Sequence, residues 1–518
     1  MYDDKPIRFD LKGKITFNKE LGGAEKILKD LIDDANNNLF LKGLPADRKD
    51  EGAKVTEWAI KGNSVTLRIN SGRYLRAHSA LLRVYRLLSK EIGTRMKIGA
   101  RGIEVEEYTA TMDIGEAPEF SIPKIPTVDR IVREGTDLKI RFSALDEASL
   151  RGFEMDRAIR LIQSLSLPSL TERVTKIPPE TIVRRSKTRK HKFNSDPTTT
   201  ALELGWLEEF PGKGQFFYTP PITKLFEAIS DIFLMELGEK LGFQTCMFPK
   251  LIPLEIMDRM RYLEGICEGM FYCSAPERNP ELFEDLKSTL YVTRKIPYKK
   301  LREALKDPSY ALAAAQCEPF YNYLGNKTLK IKSLPVKYMD HSGYTFRYEA
   351  GGARGLERAF EFQRLELVWA ALPREAEKIR DATLAETERI ADDILELEWW
   401  TEVGDDPFYL VGRFSEDQKI GLPDVPKYEL RAALPYKGPF NKKNSIATSS
   451  FNVHGQHYVK NFSTKTDKGD PVWTGCTGIG LTRWLVAFLA QHGFERSDWP
   501  KKIIELTEPF PPAPDIKA

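Results

Sequence analysis

The chain has 518 residues, of which 41% are hydrophobic and 30% are charged, and its formal net charge at pH 7 is only +3. This length exceeds one ordinary domain and predicts two or three domains with large cores. The balanced charge excludes a polycationic protein, so nucleic-acid binding would need local basic patches.

The N-terminus has no basic segment followed by an apolar core, and no apolar stretch is long enough to span a bilayer. We therefore expect a cytoplasmic protein with no membrane partner. The five cysteines are few, odd in number and scattered, unlike the paired cysteines of a secreted disulfide framework. This pattern predicts reduced thiols.

Residues 1–168 show the mixed periodicity of an α/β domain. Alternating apolar residues predict a strand from Ile7 to Leu11 and a hairpin around residues 58–69. Helices are predicted from Arg73 to about Ile92 and from Asp146 to Leu165, the second with Asp146 as its N-cap. One side of the first helix is basic and consists of Arg76, Arg83, Arg86 and Lys90. These residues form either an ordinary solvated face or a contact with the RNA backbone.

Residues 169–200 lose this periodicity and carry several prolines together with the basic run 184–192. The segment predicts a basic linker between two domains. A second domain is expected over residues 201–518. Within it, residues from about 374 to 415 are highly charged and rich in helix formers, which predicts a helical insertion.

The most informative motif is Phe-Arg-Tyr-Glu at residues 346–349, followed after a glycine-rich connection by Arg358 and Phe362. Alternate residues of a strand share a face, so Arg347 would project together with Glu349. Arginines and an aromatic ring on one hairpin predict a nucleotide site. The pattern Gly-x-Gly-x-x-Arg follows far downstream, at Gly478, Gly480 and Arg483.

These segments resemble motifs 2 and 3 of the class II aminoacyl-tRNA synthetases, and residues 240–249 resemble motif 1. The resemblance implies an α/β (α+β) fold, with an antiparallel sheet flanked by helices in the catalytic domain and a mixed α/β domain before it. It also implies that ATP, together with Mg²⁺, adenylates an amino acid.

The resemblance assigns a role to each motif residue. Arg347 would contact the α-phosphate and the amino-acid carboxylate, and Glu349 would contact the adenine edge or the amino acid. Arg358 and Arg483 would hold the β- and γ-phosphates, while Phe362 would stack on adenine. The glycines at 478 and 480 would leave room for the nucleotide. The family's acidic Mg²⁺ ligand has no clear counterpart, and Glu429 is the substitute considered.

Three further residues lie in segments that border the amino-acid pocket of class II enzymes: Cys317, Glu366 and Cys476. Two thiolates and a carboxylate suit Zn²⁺ and leave a fourth position open for substrate. Spacing alone does not identify such a site, because no Cys-x-x-Cys pattern is present. With residues 427–432 and 449–452, however, the set resembles the atypical zinc-dependent seryl-tRNA synthetases of methanogenic archaea.

This closer resemblance implies a serine–tRNA ligase that forms seryl-adenylate and transfers serine to the 3′ end of tRNA-Ser. One Zn²⁺ per subunit would bind the amino group of L-serine. Glu318 and Asn452, with Arg347 and Glu349, would complete the serine site. The enzyme would be a homodimer assembled through motif 1.

Three alternatives remain open from the sequence. A threonyl-type synthetase also uses zinc but includes histidine ligands, for which His454 and His457 are available. A ligase that charges a carrier protein is expected to lack an N-terminal RNA-binding domain. A catalytically silent RNA-binding paralogue predicts eroded ATP motifs, whereas the motif arginines and glycines are all present here.

Overall fold

The computed structural model describes residues 6–45, 47–115, 121–143, 145–165, 176–348, 352–404 and 421–515. The chain divides into two compact units, Met1–Pro168 and Ser169–Ala518. Within the described ranges, no helix is both long enough and apolar enough to cross a membrane.

The N-terminal unit is a mixed α/β unit that combines a β-sheet with helices. Among its described residues, the six strands pair in the order β2-β3-β1-β4-β6-β5. Their register is antiparallel, as in the pairing of Leu11 with Ile69 and with Tyr108. The elements are β1 (Ile7–Phe17), α1 (Glu25–Asp34), β2 (Ala53–Lys61), β3 (Ser64–Ser71), α2 (Ala77–Met96), β4 (Ala100–Asp113), β5 (Val128–Glu134), β6 (Asp137–Phe142), α3 (Glu147–Arg151) and α4 (Glu154–Leu165).

Period-two burial along β1 explains why its sequence forms a half-buried strand, since every second side chain enters the core. The side chain of Asp146 accepts a hydrogen bond from the Ser149 N–H, which confirms the predicted N-cap. The single helix predicted after Asp146 is wrong in one respect, because it is divided into α3 and α4. Phe153 between them has φ +54°, a left-handed conformation that interrupts a right-handed helix.

The C-terminal unit is built on a large sheet. Its elements are β7 (Ile182–Arg185), α5 (Pro197–Glu203), β8 (Leu207–Glu209), β9 (Phe216–Tyr218), α6 (Pro220–Phe233), β10 (Gln244–Thr245), β11 (Leu251–Pro253), α7 (Leu254–Arg259), α8 (Tyr262–Gly265), β12 (Tyr272–Cys273), α9 (Pro280–Thr293), α10 (Tyr298–Glu303), β13 (Tyr310–Leu312), α11 (Glu318–Leu324), β14 (Thr328–Leu329), β15 (Val336–Asp340), β16 (Tyr344–Phe346), β17 (Glu361–Gln363), β18 (Leu365–Ala371), α12 (Pro373–Arg389), β19 (Trp399–Val403), β20 (Lys427–Ala433), β21 (Ser445–Gly455), α13 (His457–Asn461), β22 (Lys465–Thr466), β23 (Trp473–Ile479), α14 (Leu481–His492) and α15 (Lys501–Leu506).

Eight strands of the described chain form this sheet in the order β10-β15-β18-β23-β21-β20-β19-β7. Only the short β10–β15 pair is parallel. One face packs against α6, α12 and α14 through a core that includes Trp369, Phe451 and Trp484. The opposite face packs against a second apolar cluster that includes Val368 and Ala370 of β18, and the polar side chains of β18, β20, β21 and β23 lie beside it.

The segment expected as a basic linker differs from that expectation over its described part, residues 176–200. Its strand β7 pairs with β19 at the edge of the large sheet. Arg184 Nε lies 2.8 Å from a carboxylate oxygen of Glu388, and Arg189 Nη2 lies 2.7 Å from Asp392 Oδ1. The basic run is therefore anchored to the C-terminal unit through these ion pairs.

The segment expected as a helical insertion, about 374–415, is helical only in its first part. Helix α12 packs on the large sheet, and β19 then joins that sheet as a strand. Trp399 belongs to the core, whereas Trp400 stacks on Phe440 with ring centroids 4.0 Å apart. Residues 405–415 lie outside the described residues.

Candidate active site

A polar cavity of about 200 Å³ lies on the open face of the large sheet. The hairpin of β16 and β17 supplies one wall, with Thr345 paired to Phe362. Strands β20, β21 and β23 supply the floor. The lining residues are Arg347, Phe362, Arg364, Lys427, Glu429, Ala447, Thr448, Ser449, Ser450, Gly478, Gly480 and Arg483.

Two predicted nucleotide-site arginines are held by backbone carbonyls beside the aromatic ring. Arg347 Nε donates to the Ala314 carbonyl at 2.9 Å, and Arg483 Nη1 donates to the Ala447 carbonyl at 3.0 Å. The Arg483 guanidinium lies 6.0 Å from the centre of the Phe362 ring. A planar base stacked on this ring would also lie close to the cation. The cavity therefore has the charge and the aromatic surface that a nucleotide requires.

Two residues of the predicted nucleotide site are not part of this wall. Arg358 is exposed and does not line the cavity; its backbone exchanges hydrogen bonds with Arg354 in a tight turn. Glu349 lies outside the described residues. The roles expected for Arg358 and Glu349 stay predictions.

Gly478 has a function that the motif pattern does not indicate. A Cβ at this position would lie 1.8 Å from Nη2 of Arg364. The absent side chain therefore makes room for a buried guanidinium, where the resemblance implied room for the nucleotide. Gly480 makes a milder approach, since a Cβ there would lie 3.1 Å from the Thr448 carbonyl oxygen.

A strained turn brings Cys317 and Glu318 to the site. Gln316, immediately before them, has φ +74° and is fully buried. Its amide donates to the carbonyl of Asp340 at 2.9 Å and its oxygen accepts from the Thr345 hydroxyl at 3.0 Å. These hydrogen bonds hold a conformation that is unfavourable for a residue with a side chain.

The structure brings together the three residues predicted to hold a metal: Cys317, Glu366 and Cys476. Their ligand atoms all lie within 4.8 Å of one another, and all three residues are buried. Cys317 precedes α11, while Glu366 on β18 pairs directly with Gly478 on β23. Both sulfurs and the carboxylate thus lie beside the polar cavity, since Arg364 and Gly478 line it.

The donor set fits a divalent metal. Neither oxygen of Glu366 has a hydrogen-bond partner within the described ranges, although Arg364 Nε lies 2.6 Å from Oε2 as an ion pair. Burial raises the pKa of Glu366 to about 8 against the opposing effect of Arg364. A hydrogen bond with Cys317, together with burial, raises the pKa of Cys476 well above its usual value. A cation bound here would stabilise the ionised forms that these groups otherwise resist.

Two residues predicted to read serine lie against this cluster, and each has an unsatisfied oxygen. Glu318 Oε1 accepts the N–H groups of Ala314 and Ala315, at 3.1 and 2.8 Å. Asn452 Nδ2 lies 3.6 Å from Cys476 Sγ. Glu318 Oε2 and Asn452 Oδ1 are buried with no hydrogen-bond partner in the described part of the chain. Both oxygens can accept hydrogen bonds from a substrate N–H or O–H group.

Sequence reasoning missed two residues of this site. Arg364 lies in the cavity wall and forms an ion pair with Glu366. Strand alternation places Arg364 and Glu366 on one face, but no sequence motif assigned Arg364 a role. His454 was considered only as an alternative ligand, yet its Nε2 lies 3.5 Å from Cys476 Sγ. Burial is the main cause that lowers the pKa of His454 well below its usual value.

The candidate magnesium ligand Glu429 does line the cavity, but it already has cationic partners. Lys427 Nζ lies 2.7 Å from its Oε1, and Arg431 Nη1 lies 3.6 Å from its Oε2. These pairs neutralise much of the charge that a magnesium ligand would contribute.

The four basic residues predicted to contact RNA fall into two pairs, one with contacts inside the N-terminal unit and one exposed. Arg76 forms an ion pair with the buried Asp156, and Arg83 Nη1 donates to the carbonyls of Leu39 and Lys42, both at 3.1 Å. The other two predicted residues are exposed on α2: Arg86 and Lys90. The first pair has structural contacts, so the exposed pair is better placed for a ligand.

Comparison with protein families agrees with this geometry. Residues 7–164 match a family described as a tRNA-binding domain, and residues 299–492 match the tRNA synthetase class II core domain of the G, H, P, S and T enzymes. The antiparallel sheet, its flanking helices and the second match define a class II aminoacyl-tRNA synthetase. The fold class expected from the motifs is thus confirmed.

Full-length relatives identify the family within this class. The chain is 45% identical over 506 residues to the type-2 serine–tRNA ligase of Methanothermobacter thermautotrophicus, covering 97% of each protein. It is 44% identical over 517 residues to that of Methanocaldococcus jannaschii, covering 98% of each. The chain therefore belongs to the type-2 serine–tRNA ligases.

Solved structures give the same result. The chain aligns with M. kandleri SerRS, solved in complex with A. aeolicus tRNASec, with a TM-score of 0.87, 42% identity and 96% of both chains covered. The cytoplasmic serine–tRNA ligase of Naegleria fowleri aligns with a TM-score of 0.51 and 15% identity over 70% of this chain and 71% of that one. The second likeness is one of fold alone.

Proposed function

We propose that the protein activates L-serine with ATP at a zinc-assisted site and transfers it to the 3′ end of tRNA-Ser. The observation that carries the proposal is the buried cluster of two thiols and one carboxylate beside the nucleotide cavity. Membership in the type-2 serine–tRNA ligases supports the choice of amino acid.

Three residues would hold the zinc: Cys317, Glu366 and Cys476. Two sulfurs and one oxygen are a donor set that Zn²⁺ accepts, and three protein ligands leave one position for substrate. The carboxylate of Glu366 supports this assignment, because it is fully buried with Arg364 as its ion-pair partner and neither oxygen accepts a hydrogen bond among the described residues. When bound, Zn²⁺ supplies a Lewis-acid position for the α-amino group of serine.

In the first step a carboxylate oxygen of serine attacks the α-phosphorus of ATP, and pyrophosphate leaves with the electrons of the broken P–O bond. Arg347 would stabilise the charge that develops on the α-phosphate, while Arg483 and Phe362 would hold the nucleotide. Class II synthetases use ATP with Mg²⁺, which would neutralise the leaving pyrophosphate.

The oxygens of Glu318 and Asn452 would accept hydrogen bonds from serine. Alanine and glycine also carry an α-amino group, so discrimination against them needs a partner for the hydroxyl. Leaving a buried acceptor unpaired with the wrong substrate costs binding energy and makes the pocket selective. The glutamate already orders residues 314–315, so it would arrive at the substrate in a fixed orientation.

The alternatives receive less support. Among the described residues, the group that could hold a metal contains no histidine, in contrast to a threonyl-type set. A carrier-protein ligase has no use for the region that matches a tRNA-binding domain. A silent paralogue is opposed by a cavity wall that retains both arginines, the phenylalanine and the glycines.

For the second step, the N-terminal unit would bind tRNA-Ser, with Arg86 and Lys90 contacting the backbone. The matched tRNA-binding domain supports this role. The 3′-terminal ribose hydroxyl would then attack the carbonyl carbon of seryl-adenylate and release AMP. A cytoplasmic location stays a prediction.

We also infer a homodimer assembled through residues 240–249, the segment that resembles motif 1, and the adjoining residues 251–253. This segment lines a largely apolar cavity of about 670 Å³ together with Phe320, Tyr323 and Tyr338. Met247 is 85% exposed and Leu251 is 49% exposed. Exposed apolar side chains around a concave surface are typical of an interaction site, and a second copy would cover them.

Exchange of pyrophosphate into ATP, measured with each of the twenty amino acids, tests the proposed function. Serine alone should support strong exchange, and removing bound metal with a chelator should abolish it until Zn²⁺ is restored. The second step is measured as acylation of tRNA-Ser in the presence of the same components. Exchange with threonine in preference to serine, or exchange that persists in metal-free protein, would contradict the proposal.

A further inference from the structure

His454 on β21 is 1% exposed and touches the candidate metal cluster from one side. Its Nε2 lies 3.5 Å from Cys476 Sγ. It is not a member of the group whose ligand atoms lie within 4.8 Å of one another in the described chain. The imidazole therefore contacts one ligand without joining the set.

The other ring nitrogen shows which nitrogen carries the proton. Nδ1 lies 3.3 Å from the hydroxyl oxygens of both Tyr321 and Thr474. A hydroxyl can donate to Nδ1, whereas a metal-bound thiolate can only accept. A neutral imidazole has one donor and one acceptor nitrogen, so this arrangement selects the tautomer with hydrogen on Nε2, directed at the sulfur.

Aromatic packing fixes the orientation of the ring. The imidazole lies edge-on to Tyr321 at 5.6 Å and to Tyr458 at 4.8 Å between centroids. These two tyrosines stack on each other at 4.1 Å. Rotation of the histidine would break both edge contacts, so the Nε2–H stays directed at Cys476.

We propose that His454 is a positioning residue that orients and stabilises the Cys476 thiolate for Zn²⁺ through an Nε2–H···S hydrogen bond. The proposal rests on the zinc site of the proposed function. The bond withdraws charge from a sulfur that shares its buried site with a second thiolate and a carboxylate, which lowers the repulsion among the three. Loss of an outer-shell partner typically lowers metal affinity about 10- to 100-fold.

Three variants of the full chain test this role. His454→Leu removes the donor, whereas His454→Gln keeps an N–H at a similar reach. His457→Leu is the matched control, since His457 is also buried but lies 3.5 Å from Asn461 Nδ2. Zinc affinity is measured by competition with a chromophoric chelator. The sulfur-to-metal charge-transfer band is measured after substitution with Co²⁺, because it reports the electron density on sulfur.

We expect His454→Leu to bind zinc about 10- to 100-fold more weakly than the parent, and its Co²⁺ band to move to longer wavelength. His454→Gln should restore both properties, and His457→Leu should leave both unchanged. Unchanged affinity in His454→Leu, or equal losses in the Leu and Gln variants, would overturn the proposal. A parent protein that binds no zinc would instead contradict the proposed function.

If His454→Leu does not fold, His454→Phe keeps a ring that can make the edge contacts to Tyr321 and Tyr458 but has no N–H to donate to Cys476. Zinc affinity should then fall in the same direction, with a Co²⁺ band displaced to longer wavelength. Parent-like affinity and spectrum in this variant would overturn the proposal.

Discussion

Gly478 is the position at which the smallest change is expected to have the largest effect. In Gly478→Ala the new Cβ would lie 1.8 Å from Arg364 Nη2 and 2.3 Å from its Cζ. Non-bonded heavy atoms approach to about 3.5 Å, so the guanidinium must retreat by roughly 1.7 Å. The Arg364 side chain is 13% exposed and its Nε lies 2.6 Å from Oε2 of the fully buried Glu366, so the movement breaks a largely buried ion pair.

Removing one partner of a buried ion pair costs about 3–5 kcal/mol. Here Arg364 is displaced and not removed, so we expect the free energy of unfolding to fall by about 2–4 kcal/mol. Serine-dependent pyrophosphate exchange should fall about 100-fold, because misplacement of a site residue by about 1 Å has an effect of that size.

Urea unfolding of Gly478→Ala, Arg364→Ala and the double variant measures the steric coupling directly. Tryptophan fluorescence reports on Ser169–Ala518, which contains seven of the eight tryptophans. Without the guanidinium the methyl group has no clash, so the double variant should be more stable than additivity predicts by about 2 kcal/mol. Gly269→Ala is the matched control in the same unit, since its Cβ would meet only the Tyr348 carbonyl oxygen, at 3.8 Å. Additive costs, or a Gly478→Ala protein as stable as this control, would refute the reasoning.

Three further outcomes are expected. Cys476→Ala should contain no zinc after purification, whereas Cys273→Ala should retain one equivalent, both measured by elemental analysis. The reason is that Cys476 belongs to the buried cluster and Cys273 does not. Arg86→Glu should weaken tRNA binding several-fold and lower its salt dependence in a filter-binding titration, because one phosphate contact is lost. Met247→Asp should shift the protein from dimer to monomer in analytical ultracentrifugation, because it places a charge in an apolar interface.

Each of these predictions has a contrary result. Full zinc occupancy in both cysteine variants would remove the assigned ligand set. Lys61→Glu, an exposed charge reversal in the hairpin of β2 and β3, controls for net charge, and an equal loss of tRNA affinity there would remove the assignment of α2. A dimer that persists in Met247→Asp would place the interface on another surface.

Local sequence patterns predicted what depends on neighbouring residues. The N-cap at Asp146 and the alternation of β1 are short-range properties, and the structure has them. The motif-2 hairpin is shorter than predicted, because β16 ends at Phe346 and β17 begins at Glu361, so Arg347 and Arg358 lie outside both strands. The break between α3 and α4 was not predicted, because it depends on one left-handed residue within an otherwise helical pattern.

The sequence by itself indicated the class of this enzyme, because three segments occur in the order and with the residues of the class II motifs, and the family match over residues 299–492 confirms it. The resemblance also indicated which cysteines and which glutamate to consider. Spacing could not show that Cys317, Glu366 and Cys476 meet, since they lie far apart in the chain. Their meeting depends on the register of β18 with β23 and on the turn before α11.

Tertiary structure alone decided the contacts around these residues. It placed the guanidinium of Arg364 where a side chain on residue 478 would be, and it directed His454 at Cys476. It also engaged Arg76 with the buried Asp156, leaving Arg86 and Lys90 for a ligand. The physical reason is the same in each case: a sequence motif specifies which groups are available, whereas their distances follow from strand register and core packing.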